Sequence, residues 1–227
     1  MLSSIRLAAK RAFKSFAFAT PLHRVALDPY PFMFSPSELV FLTECITEAA
    51  NIPGVFVEAG CAYGATTVFL NKFMNDHHID RRYIAIDTFA GFTPAHIQYE
   101  SQQRHKSRAV QRLLRSTFTD NKREWFLKTL KQHDVTRVTA IEGDVGKFDF
   151  STLAPIAFCL LDVDLYLPIH DALPHLYDAL SPGGMIIVDD CWEIDQWDGA
   201  LQAYTEFVRA QRLPREIVHR KLGIIQR

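Results

Sequence analysis

Short apolar runs alternate with longer stretches of helical periodicity along most of this chain. Runs of three to five residues rich in Val, Ile, Leu and Phe are typical of strands that are buried on both faces of a parallel sheet. We therefore predict five such strands, at 55–57, 83–87, 137–141, 157–161 and 185–188.

Between these runs, apolar residues recur at three- and four-residue spacing, which predicts helices. Ser35 is placed to cap the first one, with Pro36 at its first position and Glu38 completing a capping box. Further helices are predicted at 65–74, at 168–180 with a kink at Pro174, at 198–211, and as an amphipathic pair within 93–134. The apolar runs 217–219 and 222–225 predict a terminal β-hairpin.

Alternating strands and helices predict an α/β fold with a doubly wound, mostly parallel sheet. We divide the chain into an N-terminal helical extension at 1–53 and a ligand-binding domain at 54–227. The long segment at about 93–134 is interpreted as a helical lid within that domain.

Composition excludes several classes of protein. The chain has 227 residues, 48% apolar and 22% charged, as expected for a globular protein. A formal net charge of -1 argues against an extended nucleic-acid surface. No apolar run approaches the ~18 residues of a membrane span. Four scattered cysteines indicate reduced thiols and hence a cytoplasmic protein.

In the first twenty residues, basic side chains are interleaved with apolar ones, and no acidic residue occurs before Asp28. Such a segment suits a transit peptide or a membrane-surface helix. We prefer a helix that packs on the domain or on a second subunit, which makes a homodimer through an N-terminal arm a hypothesis.

A turn containing Gly60 and Gly64 joins the first strand to the next helix. Strand, glycine turn and helix together favour a nucleotide-type crevice, in which backbone N–H groups point at the ligand. A purely structural tight turn would have the same sequence pattern. Asp87, at the end of the second strand, can accept hydrogen bonds from ribose hydroxyls, and Asp144 from the amino group of a base.

Acidic residues follow each predicted strand. Because parallel strands end at the same edge of a sheet, these side chains should converge there. Any one of them could be a helix N-cap, but several together would repel one another unless a positive charge lay among them. A hard dication held by carboxylate oxygens would remove that repulsion. The residues are Glu58, Asp87, Asp144, Asp162, Asp164, Asp189 and Asp190.

Four segments in order, at 57–64, 86–92, 161–166 and 180–190, resemble the macrocin/mycinamicin-type O-methyltransferases. The resemblance covers roughly residues 54–225. It implies a class I S-adenosylmethionine-dependent methyltransferase with a Rossmann-like, seven-stranded sheet, whose terminal hairpin supplies the last two strands. It also implies S-adenosylmethionine as cofactor, with Mg²⁺ as a second one.

The resemblance also implies roles for individual residues. Glu58, Gly60 and Thr66 would hold the methionine end of the cofactor, Asp87 its ribose, and Asp144 with Val145 its adenine. Asp162, Asp189 and Asp190 match the magnesium ligands, and Asp162 is our candidate for accepting the substrate's hydroxyl proton, with His170 as a second candidate. The remaining cofactor-binding positions are Ala62, Tyr63, Gly64, Thr88 and Asp162.

The sequence departs from related patterns at two positions. Val163 replaces the glycine usual between the two acids of the fourth-strand motif, and Leu165 stands where catechol-type enzymes have a lysine base. We expect methyl transfer to a hydroxyl of a small molecule, which includes sugars and glycosylated natural products. The alternatives are a metal-independent methyltransferase and a non-catalytic cofactor-binding module. A nicotinamide dehydrogenase is disfavoured because G-x-G-x-x-G is absent.

Overall fold

A seven-stranded sheet is the centre of the chain in the computed structural model. In chain order, the strands that the described residues form are β1 (Val55–Ala59), β2 (Tyr83–Asp87), β3 (Val138–Glu142), β4 (Ile156–Leu161), β5 (Leu180–Val188), β6 (Glu216–Val218) and β7 (Leu222–Gln226). They are arranged as β3-β2-β1-β4-β5-β7-β6. The first five are parallel, while β7 runs antiparallel to both β5 and β6. This confirms the predicted fold class and the terminal hairpin.

The structure describes residues 12–13, 15–16, 18–20, 30–194 and 196–227. The chain forms two compact units, 1–33 and 34–227. In the first unit, the described residues between 12 and 18 are helical, and the rings of Phe13, Phe16 and Phe18 are exposed. Most of the basic segment lies outside the described residues, so the arm and the dimer stay predictions. No described helix is long and apolar enough to cross a membrane.

The larger unit contains helices on both sides of the sheet. Ser35 caps the first of them, and the predicted capping box with Glu38 is present. In the described part of this unit the helices are α1 (Pro36–Ala49), α2 (Ala65–Asp76), α3 (Pro94–Gln102), α4 (Arg108–Ser116), α5 (Arg123–Gln132), α6 (Tyr166–Ala179) and α7 (Asp198–Ala210).

Three local predictions were wrong. The segment 93–134 holds three helices, α3 to α5, instead of two. Helix α6 begins at Tyr166, two residues before Pro168. Strand β5 begins at Leu180 instead of residue 185, because residues 181–184 form a bulge between the pairs Leu180–Ile156 and Met185–Phe158. The bulge lets β5 begin directly after α6.

The alternation of side chains along the strands divides the core between the two faces of the sheet. Ile84 and Ile86 of β2 belong to the cluster that contains the apolar faces of α6 and α7. Ala85, between them, packs with Phe126 and Leu130 of α5 on the opposite face. The four cysteines, Cys45, Cys61, Cys159 and Cys191, are buried and free.

Helices α3 and α4 pack over the beginning of α6, which directly follows the end of β4. Ile97, Val110 and Leu114 contact Leu165 there in a separate apolar cluster. The buried carboxylate of Glu100 accepts a hydrogen bond from the backbone N–H of Tyr166 at 2.9 Å. The lid is therefore attached to the sheet edge at which the predicted site residues converge.

Candidate active site

Asp87 organises the turn between β1 and α2. Its Oδ2 accepts hydrogen bonds from the backbone N–H groups of Cys61 and Ala62, both at 2.9 Å. Its Oδ1 accepts one from the N–H of Phe89 at 2.7 Å and one from the Nδ2 of Asn121 at 3.3 Å. Asp87 thus lies beside the glycine turn, as predicted, and also holds that turn in place.

The two glycines of the turn are required by the packing of the protein itself. Both have positive φ, 88° at Gly60 and 87° at Gly64, a region that favours glycine. A Cβ atom at Gly60 would overlap the backbone carbonyl of Asp162. One at Gly64 would lie 2.9 Å from the ring of Phe126 in α5.

Glu58 lies on β1 beneath the turn and is 1% exposed. Its carboxylate accepts a hydrogen bond from the hydroxyl of Tyr83 on β2 at 2.8 Å. Burial raises the pKa of Glu58 to about 7. A ligand ammonium group reaching this carboxylate would favour its ionised form, which agrees with a role at the methionine end of the cofactor.

Asp144 follows β3 and caps a short 3₁₀ turn through the N–H of Gly146 at 3.2 Å. Its Oδ1 lies 3.4 Å from Nε2 of His96 in α3, and burial lowers the pKa of that histidine. Its Oδ2 is buried without a hydrogen bond among the described residues, although the Lys147 ammonium is 3.5 Å away. That oxygen suits the amino group of a base, and Val145 beside it is buried.

Four carboxylates form a cluster, hereafter the acidic cluster, where β4 and β5 end side by side. Asp164 and Asp190 both have positive φ, and their carboxyl groups are hydrogen-bonded to each other. Burial, and next the neighbouring carboxylates, raise the pKa of Asp162 and Asp164 well above the ordinary range and that of Asp189 to about 7. Asp162, Asp164, Asp189 and Asp190 make up the cluster.

Lys221, from the turn between β6 and β7, extends into the acidic cluster. Its Nζ lies 2.8 Å from Asp189 Oδ2 and 3.6 Å from Asp190 Oδ1, and 4.7 Å from the centre of the Phe34 ring. Burial would lower the pKa of Lys221, but the carboxylates of Asp189, Asp162 and Asp190 outweigh it and raise that pKa. One ammonium thus faces four carboxylates.

The chemistry of the acidic cluster fits a hard dication, although its geometry is not preformed. Oxygen donors suit Mg²⁺, Asp189 Oδ1 is buried with no hydrogen-bond partner in the described chain, and the Lys221 ammonium already occupies a cation position. Yet no three His, Cys, Asp or Glu side chains of the described residues are arranged to hold a metal ion. Asp162, Asp189 and Asp190 would therefore have to rearrange around one.

The other predicted residues surround this site less closely. Thr88 donates a hydrogen bond to the Gly91 carbonyl at 2.7 Å, and Thr66 is half-buried in the first turn of α2. His170 is exposed on α6, 2.9 Å from Asp171 and stacked on the Tyr166 ring, and its described contacts do not include the acidic cluster. Its role as a base stays a prediction.

Sequence reasoning missed Lys221, Asn121 and His96. Lys221 was assigned only to the hairpin, and nothing in the pattern indicates that its side chain turns towards the acids. Asn121 and His96 lie in the lid segment, whose packing on the turn depends on tertiary structure. The acidic residues that follow the strands were the one signal in the sequence that a positive charge, such as that of Lys221, should lie among them.

Known proteins resemble this chain in sequence and in fold. A model of the TylF macrocin-O-methyltransferase family matches residues 31–221. The 8-demethyl-8-(2,3-dimethoxy-alpha-L-rhamnosyl)-tetracenomycin-C 4'-O-methyltransferase of Streptomyces olivaceus is 28% identical over 174 aligned positions. That alignment covers 69% of this chain and 59% of the relative, so the chain spans less than two thirds of the relative's length.

Two solved structures share the fold. The O-methyltransferase NovP has a TM-score of 0.67 at 21% identity, with 86% of this chain and 81% of NovP covered. The apo form of CalS11, a TDP-rhamnose 3'-O-methyltransferase of calicheamicin biosynthesis, has a TM-score of 0.62 at 16% identity, with 95% of this chain and 91% of CalS11 covered. Because the family model spans most of its length, the chain belongs to the macrocin-O-methyltransferase family.

Proposed function

We propose that this protein transfers a methyl group from S-adenosylmethionine to a hydroxyl of a sugar or a glycosylated small molecule. The observation that carries the proposal is the placement of Asp87, the glycine turn and the acidic cluster at one edge of the sheet. The Gly60 Cα lies against the Asp162 carbonyl there. Family membership supports the reaction, and the rhamnose named for the Streptomyces olivaceus relative and for CalS11 supports the substrate class.

Residues around the turn would bind the cofactor. Glu58 would receive the ammonium of its methionine end, since burial makes an uncompensated carboxylate unfavourable there. Asp87 would receive ribose hydroxyls, and the free Asp144 Oδ2 would receive the adenine amino group. When bound, the cofactor supplies a sulfonium methyl group that a substrate oxygen can attack, and most of the rate gain comes from orientation.

The acidic cluster would handle the substrate hydroxyl. Asp162, Asp189 and Asp190 would hold Mg²⁺, which when bound lowers the pKa of a hydroxyl. Asp162 would accept the hydroxyl proton as an ionised carboxylate, because burial and its neighbours raise its pKa and so make that carboxylate a stronger base. A substrate oxygen freed of its proton in this way would form a bond to the methyl carbon as the carbon–sulfur bond breaks, with that electron pair passing to sulfur.

Lys221 supports a second possibility. Its ammonium lies between Asp189 and Asp190 and balances part of their charge without a metal. A metal-independent methyltransferase would use this cation to orient the substrate oxygen.

Calorimetric titration tests these proposals. S-adenosylhomocysteine would be titrated into wild type, Asp189→Ala and, as matched control, Asp178→Ala, an exposed acid on α6, each with and without Mg²⁺. We expect wild type and the control to bind the cofactor product and Mg²⁺, and Asp189→Ala to lose Mg²⁺ binding. Turnover of TDP-rhamnose and of rhamnosylated acceptors would then be screened by mass spectrometry.

The other outcomes separate the alternatives. Cofactor binding and turnover without any Mg²⁺ effect would favour the metal-independent enzyme. Cofactor binding with no methylated product from any hydroxylated acceptor would favour the non-catalytic module. Absence of cofactor binding in wild type would refute the proposed function.

A further inference from the structure

The loop between α4 and α5, together with the first turn of α5, contacts the glycine turn and the neighbouring Asp87 at three points. Asn121 donates to Asp87, the Trp125 ring stacks on Tyr63 at 6.4 Å and 20°, and Phe126 fills the space beside Gly64. Tyr63 is also hydrogen-bonded to Asp120, which contributes to raising the pKa of its hydroxyl, although burial contributes most. The lid therefore lies directly on the turn that the proposed function assigns to the cofactor.

Asn121 is buried there with an unused acceptor. Its residue is 2% exposed, and no donor among the described residues reaches its Oδ1. A buried polar atom without a partner is destabilising, so native proteins rarely keep one without a reason. A ligand hydroxyl would supply the missing donor.

The hydrogen-bonding capacity of Asp87 leads to the same conclusion. An ionised carboxylate offers about four acceptor positions. Backbone N–H groups of Cys61, Ala62 and Phe89 occupy three of them at 2.7–2.9 Å, and Asn121 occupies the fourth at 3.3 Å. The Asn121 bond is the longest of the four, and it is the one that a ligand can replace without opening the turn.

We propose that Asn121 binds the ribose of the cofactor together with Asp87. One ribose hydroxyl donates to Asp87 Oδ1 at the position now taken by the Asn121 amide and accepts a hydrogen bond from the N–H of that amide, and the neighbouring hydroxyl donates to Asn121 Oδ1. A vicinal diol suits this pair because it presents two donors side by side. The inference rests on the proposed function, and it makes the loop 117–122 part of the wall of the ribose site.

A cycle of protein and ligand variants tests the contact. S-adenosylhomocysteine and its 2′-deoxy and 3′-deoxy analogues are titrated into wild type, Asn121→Ala and Asn121→Ser. The control is Thr119→Ala, an exposed residue of the same loop whose hydroxyl bonds only to the Ser116 carbonyl among the described residues. We expect Asn121→Ala to bind S-adenosylhomocysteine about fivefold to tenfold more weakly, with the control unchanged.

The analogues show whether the loss concerns the ribose. Both deoxy analogues should bind wild type more weakly than S-adenosylhomocysteine does. For one of the two analogues, the loss of affinity in Asn121→Ala should be about fivefold smaller than the loss in wild type. Equal losses in wild type and Asn121→Ala for both analogues would overturn the inference and leave Asn121 as a structural contact. Asn121→Ser, which keeps a small acceptor, provides the same comparison if the alanine variant folds poorly.

Hydrogen exchange gives a readout independent of affinity. Saturating S-adenosylhomocysteine should slow exchange of amides 117–122 in wild type and do so less in Asn121→Ala, at equal occupancy. Unchanged exchange in wild type would also overturn the inference. Failure of wild type to bind S-adenosylhomocysteine at all would instead refute the proposed function.

Discussion

At the scale of single residues, Gly60 and Gly64 form a matched pair. Their φ angles differ by one degree, so an added Cβ meets the same backbone strain at both. Their surroundings differ, because Gly60 faces the backbone carbonyl of Asp162 whereas Gly64 faces the side-chain ring of Phe126. A ring can shift, whereas a carbonyl at the end of a central strand cannot.

We therefore expect Gly60→Ala to be the more damaging change. Gly64→Ala should lower the free energy of unfolding by about 1–3 kcal/mol, from strain and overpacking. Gly60→Ala should lower it by more or prevent folding. Urea unfolding and soluble yield measure the difference, and Gly143→Ala serves as a glycine control, because an added Cβ there lies 4.0 Å from its nearest neighbour, the ring of Phe148. Equal losses in the free energy of unfolding for Gly60→Ala and Gly64→Ala would contradict this expectation.

Glu58 predicts a pH dependence of stability. Its pKa is raised from 4.5 to about 7 in the folded protein, so the folded state keeps the proton to higher pH than the unfolded chain does. The protonated carboxyl favours folding at low pH, and stability falls as pH rises from about 4.5 to 7. The shift corresponds to at most about 3 kcal/mol.

Glu58→Gln should remove this contribution while keeping an acceptor for Tyr83. Its free energy of unfolding should decline less than that of wild type between pH 4.5 and 7, and the two slopes should agree above pH 8. Urea unfolding at several pH values checks this, with the exposed Glu142→Gln as control. Parallel curves for Glu58→Gln and wild type across the range would show that Glu58 does not titrate there.

At the scale of elements, the sequence predicted the helix and strand positions that depend on interactions between residues close in the chain. The Ser35 capping box set the start of α1, and the apolar runs located the first five strands, because both signals act between residues close in sequence. The extension of β5 by a bulge depends on pairing with β4, which no local pattern encodes. The beginning of α6 is set by Glu100, sixty-six residues away, rather than by Pro168.

The lid illustrates the same limit. Arg104 is half-buried and Lys106 is buried, and both bind Asp198 at the start of α7 at 2.6 Å. Arg104 also binds Glu100, so one network joins α3, α6 and α7. Such ion pairs between distant elements cannot be read from charge patterning along one segment.

At the scale of the whole molecule, the sheet order explains why the acids could be predicted and their counter-charge could not. Parallel strands bring the residues that follow them to one edge whatever the details of packing. Lys221 reaches that edge only because β7 runs antiparallel to β5, which returns the hairpin turn to the ends of the parallel strands. The C-terminal hairpin thus completes the site.

Lys221→Met tests that role of the hairpin. Methionine keeps much of the aliphatic chain but removes the ammonium that contacts the acidic cluster and the Phe34 ring. Removing one partner of a buried ion pair costs about 3–5 kcal/mol. We expect a lower melting temperature at pH 8 without metal, a smaller deficit at pH 5, where the acids hold protons, and a larger gain from Mg²⁺ than in wild type.

Arg220→Met, the exposed neighbour, is the matched control and should change none of these values. Scanning calorimetry at both pH values, with Mg²⁺ or EDTA, provides the comparison. If Mg²⁺ restores Lys221→Met, the ammonium and the dication occupy the same place, and the lysine must move when the metal binds. If Mg²⁺ stabilises neither protein while pH 5 restores the variant, Lys221 is the permanent cation of the site, which supports metal-independent methyl transfer. An unchanged melting temperature in Lys221→Met would show that the acidic cluster is balanced without the lysine.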